Sequence, residues 1–316
     1  MIYAKNNADF KARRLRAVKE DLNSGAATLA RKTLEDVIDF AEYCDAADTD
    51  ELIRELTDLT QQLATARPSR LAVGNALQLW SGCLETLATE ELEGARSDAR
   101  LAAEEVIQTL SDARTRAVAL CKHEIQDGMT LMTLSSSSAV SALFEACHRS
   151  GIEFKVILTE SRPGMEGRKL ARRLNQLAIP VQFITEAQMA HFVPQADKVI
   201  VGADSLLRDG SLISKAGSRL LALAARDAGI PFWVLAESFK HSLITPEAIE
   251  LEEMPEDELQ LEPLPNVQVR NFYFDLVPAR LVTAWVDELG VRVEFQSHAR
   301  APAQPLLERQ ASHPAP

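Results

Sequence analysis

From Asp127 onward the chain alternates short apolar runs with longer amphipathic stretches. Few folds satisfy that pattern. A strand covered on both faces reads as a near-continuous Val/Ile/Leu run, and a helix between two such runs acts as a crossover. Repeated alternation therefore specifies a parallel sheet sandwiched by helices. The apolar runs predict strands at Met129 to Leu134, Phe154 to Thr159, Val181 to Ile184, Lys198 to Val201 and Phe232 to Ala236, with a last strand at Val291 to Phe295. Helical patterns cover Ala139 to Arg149, Gly164 to Leu177, Glu186 to Phe192 and Leu212 to Asp227, and a further one at Leu281 to Leu289 precedes the last strand. In such a sheet ligands bind beyond the C-terminal ends of the strands. The segments that follow each strand are where chemistry is expected.

The residues from Asp9 to about Lys122 read differently. They carry helical periodicity throughout, as in Leu29, Leu34, Val37 and Ile38 within Ala26 to Tyr43, or Leu52, Leu56, Leu59 and Leu63 within Asp50 to Thr65. The expected organisation is an N-terminal helical domain over 1–125, a Rossmann-like parallel-sheet α/β domain over 126–296 and a disordered Pro/Ala/Ser-rich tail over 297–316. The chain's 316 residues allow a sizeable core. A net charge of −12 argues against a broad nucleic-acid surface. The four cysteines (Cys44, Cys83, Cys121 and Cys147) form no CxxC pair, which suits a reducing cytoplasm rather than a disulfide framework or a zinc site. The opening MIYAKNNADFKARR has no apolar signal region, and no apolar run reaches the roughly 18 residues of a membrane span.

Several post-strand segments hold chemistry-bearing residues. Lys198 to Val201 runs into Gly202-Ala203-Asp204, which puts Asp204 where a chemical carboxylate would sit, although Asp also serves as a turn residue or helix cap. Lys215 and Gly217, ahead of a helical run, suit an anion. Ser135, Ser136, Ser137 and Ser138 follow the first strand, either as a phosphate cradle at a helix N-terminus or as a cap and turn. Arg162 and Glu166 follow the second strand, and Glu237 and Lys240 the fifth; each pair also reads as an ordinary surface ion pair. Thr245 to Glu262 holds eight acidic residues and no basic one, and reads as a solvated, mobile excursion rather than a metal loop. No metal and no cofactor is expected; no GxGxxG follows a predicted strand, so a nicotinamide site is not indicated.

Taken together, these segments resemble a known family. Gly202-Ala203-Asp204, Asp209-Gly210 and Ser214-Lys215-Ala216-Gly217 resemble its Gly-Ala-Asp, Asn-Gly and Asn-Lys-x-Gly signature, with Asp209 and Ser214 in place of the two Asn. Further matches are Arg67-Pro68-Ser69, the Glu160 to Gly167 segment, Ala236-Glu237-Ser238-Phe239-Lys240 and Asn271 to Pro278. The family joins the alpha, beta and delta regulatory subunits of translation initiation factor 2B to two isomerases, acting on methylthioribose 1-phosphate and ribose 1,5-bisphosphate. The resemblance spans about Asn23 to Gly290 and implies that Arg67 lies near substrate phosphate; Arg162 could then bind phosphate or a ribose hydroxyl with Glu166 orienting it, Lys240 could meet a phosphate at the pocket rim, and Asp275 could hold a ribose hydroxyl.

It also implies that Asp204 is the acid that handles the substrate oxygen in the isomerases. Their thiol, which moves the proton at carbon, falls at Ser135 here. A hydroxyl is a far weaker base than a thiol, and no His or Lys adjoins Ser135 in sequence to activate it. The resemblance thus points to a cytoplasmic, homo-oligomeric protein, dimer or hexamer, that binds a sugar phosphate or nucleotide in a regulatory role. An aldose–ketose isomerase is the alternative, and an assembly subunit with an empty pocket is a third reading. A translation-factor partner is implied only by the resemblance.

Overall fold

The structure, a computed structural model, describes residues 6–22, 24–88 and 91–295; the tail expected at 297–316 lies outside them. Helices α1 (Asn7–Glu20), α2 (Ala26–Tyr43), α3 (Thr49–Thr65), α4 (Leu71–Ser81), the single turn α5 (Leu84–Leu87) and α6 (Leu92–Lys122) come first. The Leu and Val stripes of α2 and α3 close over Phe40, Leu77 and Trp80, all essentially inaccessible to solvent. Ala95, Ala99 and Ala103 recur every fourth residue on α6 and leave room for this core. The 31 residues of α6 extend about 46 Å. Its second half, through Ala117, Val118 and Cys121, packs instead against the sheet. One rigid helix thereby belongs to both cores.

The sheet contains β1 (Thr130–Thr133), β2 (Lys155–Thr159), β3 (Val181–Ile184), β4 (Lys198–Val201), β7 (Phe232–Leu235), β9 (Ala284–Asp287) and β10 (Gly290–Arg292), in the order β10-β9-β7-β4-β1-β2-β3. All pairings are parallel except β9 with β10. Side chains alternate across it as the strand period requires. Met132, Ile157, Val199, Val201, Val234 and Trp285 face α9 (Met189–Phe192) and α10 (Ser218–Asp227). Leu131, Val156, Leu158, Ile200, Leu235 and Val286 face α6, α7 (Ser138–Arg149) and α8 (Gly167–Gln176). A second, antiparallel sheet joins β5 (Ser205–Leu206), β6 (Leu212–Lys215) and β8 (Phe274–Val277).

Three expectations are corrected. Leu281 to Leu289 is not a helix: Ala284–Asp287 is strand β9, aligned along β7. Its apolar residues happened to fit a helical spacing, but the run Ala-Trp-Val pairs well with the open edge of β7. The expected helix from Leu212 begins only at Ser218, because Leu212 to Lys215 is claimed by β5 and β8 as β6. The acidic stretch is docked rather than free. Met254 is buried beside Tyr273 and Phe274, and Glu252 and Glu258 find partners inside. Among the described residues no helix is long and apolar enough to cross a membrane.

One ionisable group sits awkwardly in the helical core. Burial pushes the Asp36 carboxyl up to about 6, outweighing the Arg14 guanidinium, which lies 3.1 Å away. Its protonated form stabilises the fold below the unfolded value of 3.8, and that stabilisation is lost as pH rises through about 6. Asp36→Asn is expected to raise stability at pH 7.5 by about 1–3 kcal/mol. The gain should shrink as pH falls from 7 to 4. Denaturant titrations at several pH values check this; equal stability of the two proteins at pH 7.5 would refute it.

Candidate functional site

The chain runs β1, β2, β3 outward in one direction, then returns to place β4 on the other side of β1. The crossovers on either side of this point therefore leave a crevice between the C-terminal ends of β1 and β4, where open α/β sheets bind ligands. The segment 134–137 leaves β1 there and Gly202-Ala203-Asp204 leaves β4. The two approach so closely that a Cβ on Gly202 would lie 2.3 Å from Ser137 Oγ and 2.6 Å from its Cβ. Ser137 caps α7, its hydroxyl accepting the Val140 amide at 3.4 Å. On the other flank Gly167 opens α8, and a Cβ there would lie 1.9 Å from the Thr159 carbonyl oxygen. Both glycines let a helix start press on a strand end.

The backbone at these strand ends is strained. Ser135 and Ser161 hold φ of 64° and 69°, a left-handed conformation that costs a side-chain-bearing residue about 1–2 kcal/mol. They support each other: the Ser135 amide donates to Ser161 Oγ at 2.6 Å. Glu186 braces the pair from below, accepting the Ser161 amide at 2.5 Å and the Arg162 amide at 3.4 Å. Such strain gathers at ligand sites because the surrounding structure must enforce it.

Charge around the crevice is closely paired. Asp204 Oδ1 lies 3.1 Å from Arg70 Nη1 as an ion pair without hydrogen-bond geometry, and both are largely buried. The same Arg70 nitrogen donates to the Ser24 carbonyl at 2.8 Å, and its guanidinium lies over the Phe274 ring at 4.8 Å. Lys215 donates to Glu166 Oε1 at 2.8 Å and lies 4.2 Å from the Tyr273 ring centroid. Arg67 gives Nε to Glu252 Oε2 at 2.6 Å and Nη1 to the Asp21 carbonyl at 3.1 Å. Lys240 and Glu237 lie 2.8 Å apart, both almost wholly enclosed. Asp275 accepts the Gly217 and Arg219 amides at 2.7 and 3.3 Å and so caps α10. Among the described residues the half-buried Arg162 guanidinium has no ion-pair or hydrogen-bond partner.

Ser135, Ser136, Ser137, Arg162, Glu166, Asp204 and Lys215 are thus carried on adjoining strand-end loops, linked through Ser161, Gly202 and the Lys215–Glu166 contact. Arg67 approaches from the start of α4. Glu237, Lys240 and Asp275 are spent on internal partners. None of the cysteines is a candidate thiol for proton transfer. Burial pushes Cys44, Cys83 and Cys147 to about 11 and Cys121 to about 12, and Cys121 and Cys147 pack at the far ends of their helices. A cleft of about 520 Å³ lined by His148, Phe154 and Pro180 lies at the opposite, N-terminal end of the sheet and contains none of these residues. Among the described residues no group of His, Cys, Asp or Glu is arranged to hold a metal ion.

The profile of the initiation factor 2 subunit family matches residues 22–293. The chain belongs to this family. Within it, a Pyrococcus furiosus protein provisionally named translation initiation factor eIF-2B subunit 2-like is 34% identical over 278 residues, covering 88% of this chain and 94% of its own. The ribose 1,5-bisphosphate isomerase of Archaeoglobus fulgidus is 32% identical over 277 residues, covering 84% of each. The crystal structure of the Pyrococcus horikoshii translation initiation factor eIF-2B superposes with a TM-score of 0.79 at 31% identity, covering 90% of this chain and 96% of that one.

Sequence reading overlooked four residues of this family member's site. Arg70 stands three positions after Arg67, and its partnership with Asp204 needed only the question of which basic residue follows Pro68. Ser161 was visible as the residue after Glu160, but its support of Ser135 depends on the neighbouring register of β1 and β2. Glu186 and Glu252 gave no local signal at all.

The two glycine contacts differ in kind. Gly202→Ala meets Ser137 Oγ, which can rotate away at the loss of its cap, worth about 1 kcal/mol, and Ser137 Cβ at 2.6 Å, which a shift of the loop that carries it must relieve. Gly167→Ala meets a backbone carbonyl that cannot. We expect Gly167→Ala to destabilise the protein by about 3 kcal/mol or more, as overpacked substitutions can, and Gly202→Ala by less. Thermal and denaturant melts of both variants check the order.

Proposed function

We propose that this protein binds a phosphorylated ribose compound, a sugar phosphate or a nucleotide, at the crevice between β1 and β4 and acts as a regulatory member of its family. Ser135 to Ser137 at the start of α7, with Arg162, Lys215 and Arg67, would take phosphate, and Asp204 would take a sugar hydroxyl. One observation carries the reading against catalysis. By the resemblance Ser135 falls at the position of the isomerase thiol, and among the described residues no His, Lys or carboxylate hydrogen-bonds its hydroxyl. An aldose–ketose conversion needs a base at carbon and an acid at oxygen. An unactivated hydroxyl does not supply the first. A homodimer or larger homo-oligomer, cytoplasmic location and a translation-factor partner belong to the same proposal.

The isomerase reading keeps two observations in its favour. Asp204 is present and positioned on β4's exit, and a relative at 32% identity is a ribose 1,5-bisphosphate isomerase.

The test is a thermal-shift series with ribose 1,5-bisphosphate, methylthioribose 1-phosphate, ribose 5-phosphate, AMP and GDP, followed by an assay for ketose. At a ligand concentration of a hundred times Kd, binding adds about 2.7 kcal/mol, a rise of several degrees in Tm. We expect such a rise with at least one compound, largely lost in Asp204→Asn and Arg162→Ala, and no ketose. Turnover that disappears in Asp204→Asn would make the protein an isomerase. No shift with any compound would leave the assembly-subunit reading.

A further inference from the structure

The guanidinium of Arg67 is 5% exposed, yet its partner carboxylate comes from 185 residues away in the acidic segment. Glu252 Oε2 takes Arg67 Nε at 2.6 Å, and Glu252 Oε1 takes the Ser69 amide at 3.2 Å. A guanidinium edge and a free amide just ahead of α4 form a seat for an oxyanion. The seat has more donors than the carboxylate uses. Arg67 Nη2, on the same edge of the guanidinium as Nε, is buried without a hydrogen-bond partner, and so is the hydroxyl of Ser69, which is wholly buried. A carboxylate offers two oxygens in one plane, whereas a phosphate offers three in a tetrahedral array. The unpaired donors fit the larger anion.

The segment that delivers Glu252 belongs to no strand or helix of the main cores and is held by local contacts: Glu253 bridges Phe272 and pairs with Arg270, Asn271 Nδ2 donates to the Pro255 carbonyl at 2.7 Å, and Ile249 and Leu251 pack beside Met254. Glu258 accepts Asn271 Nδ2 at 2.9 Å and the Tyr273 hydroxyl at 2.5 Å. The Met254 amide donates to the Asn271 carbonyl at 2.8 Å, and the Met254 side chain fills a small apolar cluster. Glu247, Glu250, Glu256 and Asp257 stay in solvent and add nothing to the hold. By contrast, the carboxylates facing Arg70, Lys215 and Lys240 stand on the strand-end loops themselves. Among these pairs, the Arg67–Glu252 contact joins the site to a part of the chain outside the sheet.

We infer that Glu252 is a built-in competitor for the Arg67–Ser69 anion seat, so that the acidic segment 246–262 shields the site until a phosphate-bearing ligand displaces it. The inference rests on the reading of the site as a phosphorylated-ribose binder. It assigns the acidic segment a task, that of setting a threshold on ligand binding, and it names the residue that does so.

The experiment is calorimetric titration of ribose 1,5-bisphosphate into the full-length wild type, Glu252→Ala, Glu252→Gln and Glu253→Ala. Glu253 is the matched control, since it loses the same charge from the adjacent residue and pairs only with the exposed Arg270. We expect Glu252→Ala to bind about tenfold or more tightly than wild type, Glu252→Gln to lie between them, and Glu253→Ala to match wild type. Hydrogen exchange of 246–262 should quicken in wild type when the ligand is added. Binding seen only in the Glu252 variants would also support the inference. Equal or weaker affinity in the Glu252 variants would overturn it and leave the binding reading intact. No heat with any of the four proteins, from this compound or from the other four of the thermal-shift series, would overturn both. If Glu252→Ala melts well below wild type, the isosteric Glu252→Gln decides alone.

Discussion

Everything at this protein's candidate site depends on the strand order about β1. Because the chain adds β2 and β3 on one side and β4 on the other, two loops with no neighbour in sequence leave the sheet side by side. The contact of Gly202 with Ser137 sets how near they come, and the left-handed backbones of Ser135 and Ser161 set what they present. Neither feature helps the fold on its own. Left-handed serines oppose folding, and a glycine at a strand end gives up a side chain that might have packed. Their energy is recovered elsewhere, in cores where Leu, Val and Ile are almost wholly enclosed. The sheet is stable enough to impose a geometry its own loops would not choose.

The second constraint is charge. The protein carries a net −12, which disfavours the approach of any phosphate at long range, although salt screens that field beyond about 8 Å at physiological strength. At short range the guanidinium and ammonium groups near the crevice mostly face carboxylates. Arg70 meets Asp204, Lys215 meets Glu166, Lys240 meets Glu237 and Arg67 meets Glu252. Burying these cations unpaired would be far costlier than burying them in pairs. The pairs therefore keep the basic groups in place, at the cost of competition with an incoming anion. Arg162, half-exposed and without such a partner among the described residues, is where that competition is weakest.

How much of this the sequence disclosed follows from the range of each interaction. The Val/Ile runs of β2 and β4 are local and buried on both faces, so period and composition identified them. Trp285 misled because residues spaced by four read as a helix when only the sequence is known, whereas the edge of β7 that claims them is supplied by the fold. Ser214 and Lys215 misled similarly, being held as a strand by Phe274 and Asp275, some sixty residues later in the chain. The motif residues Asp204, Arg162 and Glu166 were legible because they follow strands, and Lys215 because it stands in the same signature as Asp204. Their partners were less so. Arg70 lay within the quoted segment but was overshadowed by Arg67, and Glu252 sat in a stretch whose composition spoke only of solvent. An eight-carboxylate segment is solvated on average; two of its members being turned inward is a fact of tertiary structure alone.

The resemblance puts Ser135 where the isomerases carry a thiol, and such an exchange would weigh differently on binding and on chemistry. A hydroxyl and a thiol are similar in size and both can face a phosphate or a sugar oxygen, so the crevice keeps its shape and its donors. The backbone amides at the start of α7, the strain at Ser135 and Ser161 and the Gly202 approach are all indifferent to the exchange. Proton transfer is not. A thiol near pKa 8.5 can be tuned into a base, while a serine hydroxyl needs a neighbouring base to act, and Ser135 has none among the described residues. On the proposed reading, the exchange would leave in place what recognition requires and take away what an aldose–ketose conversion requires.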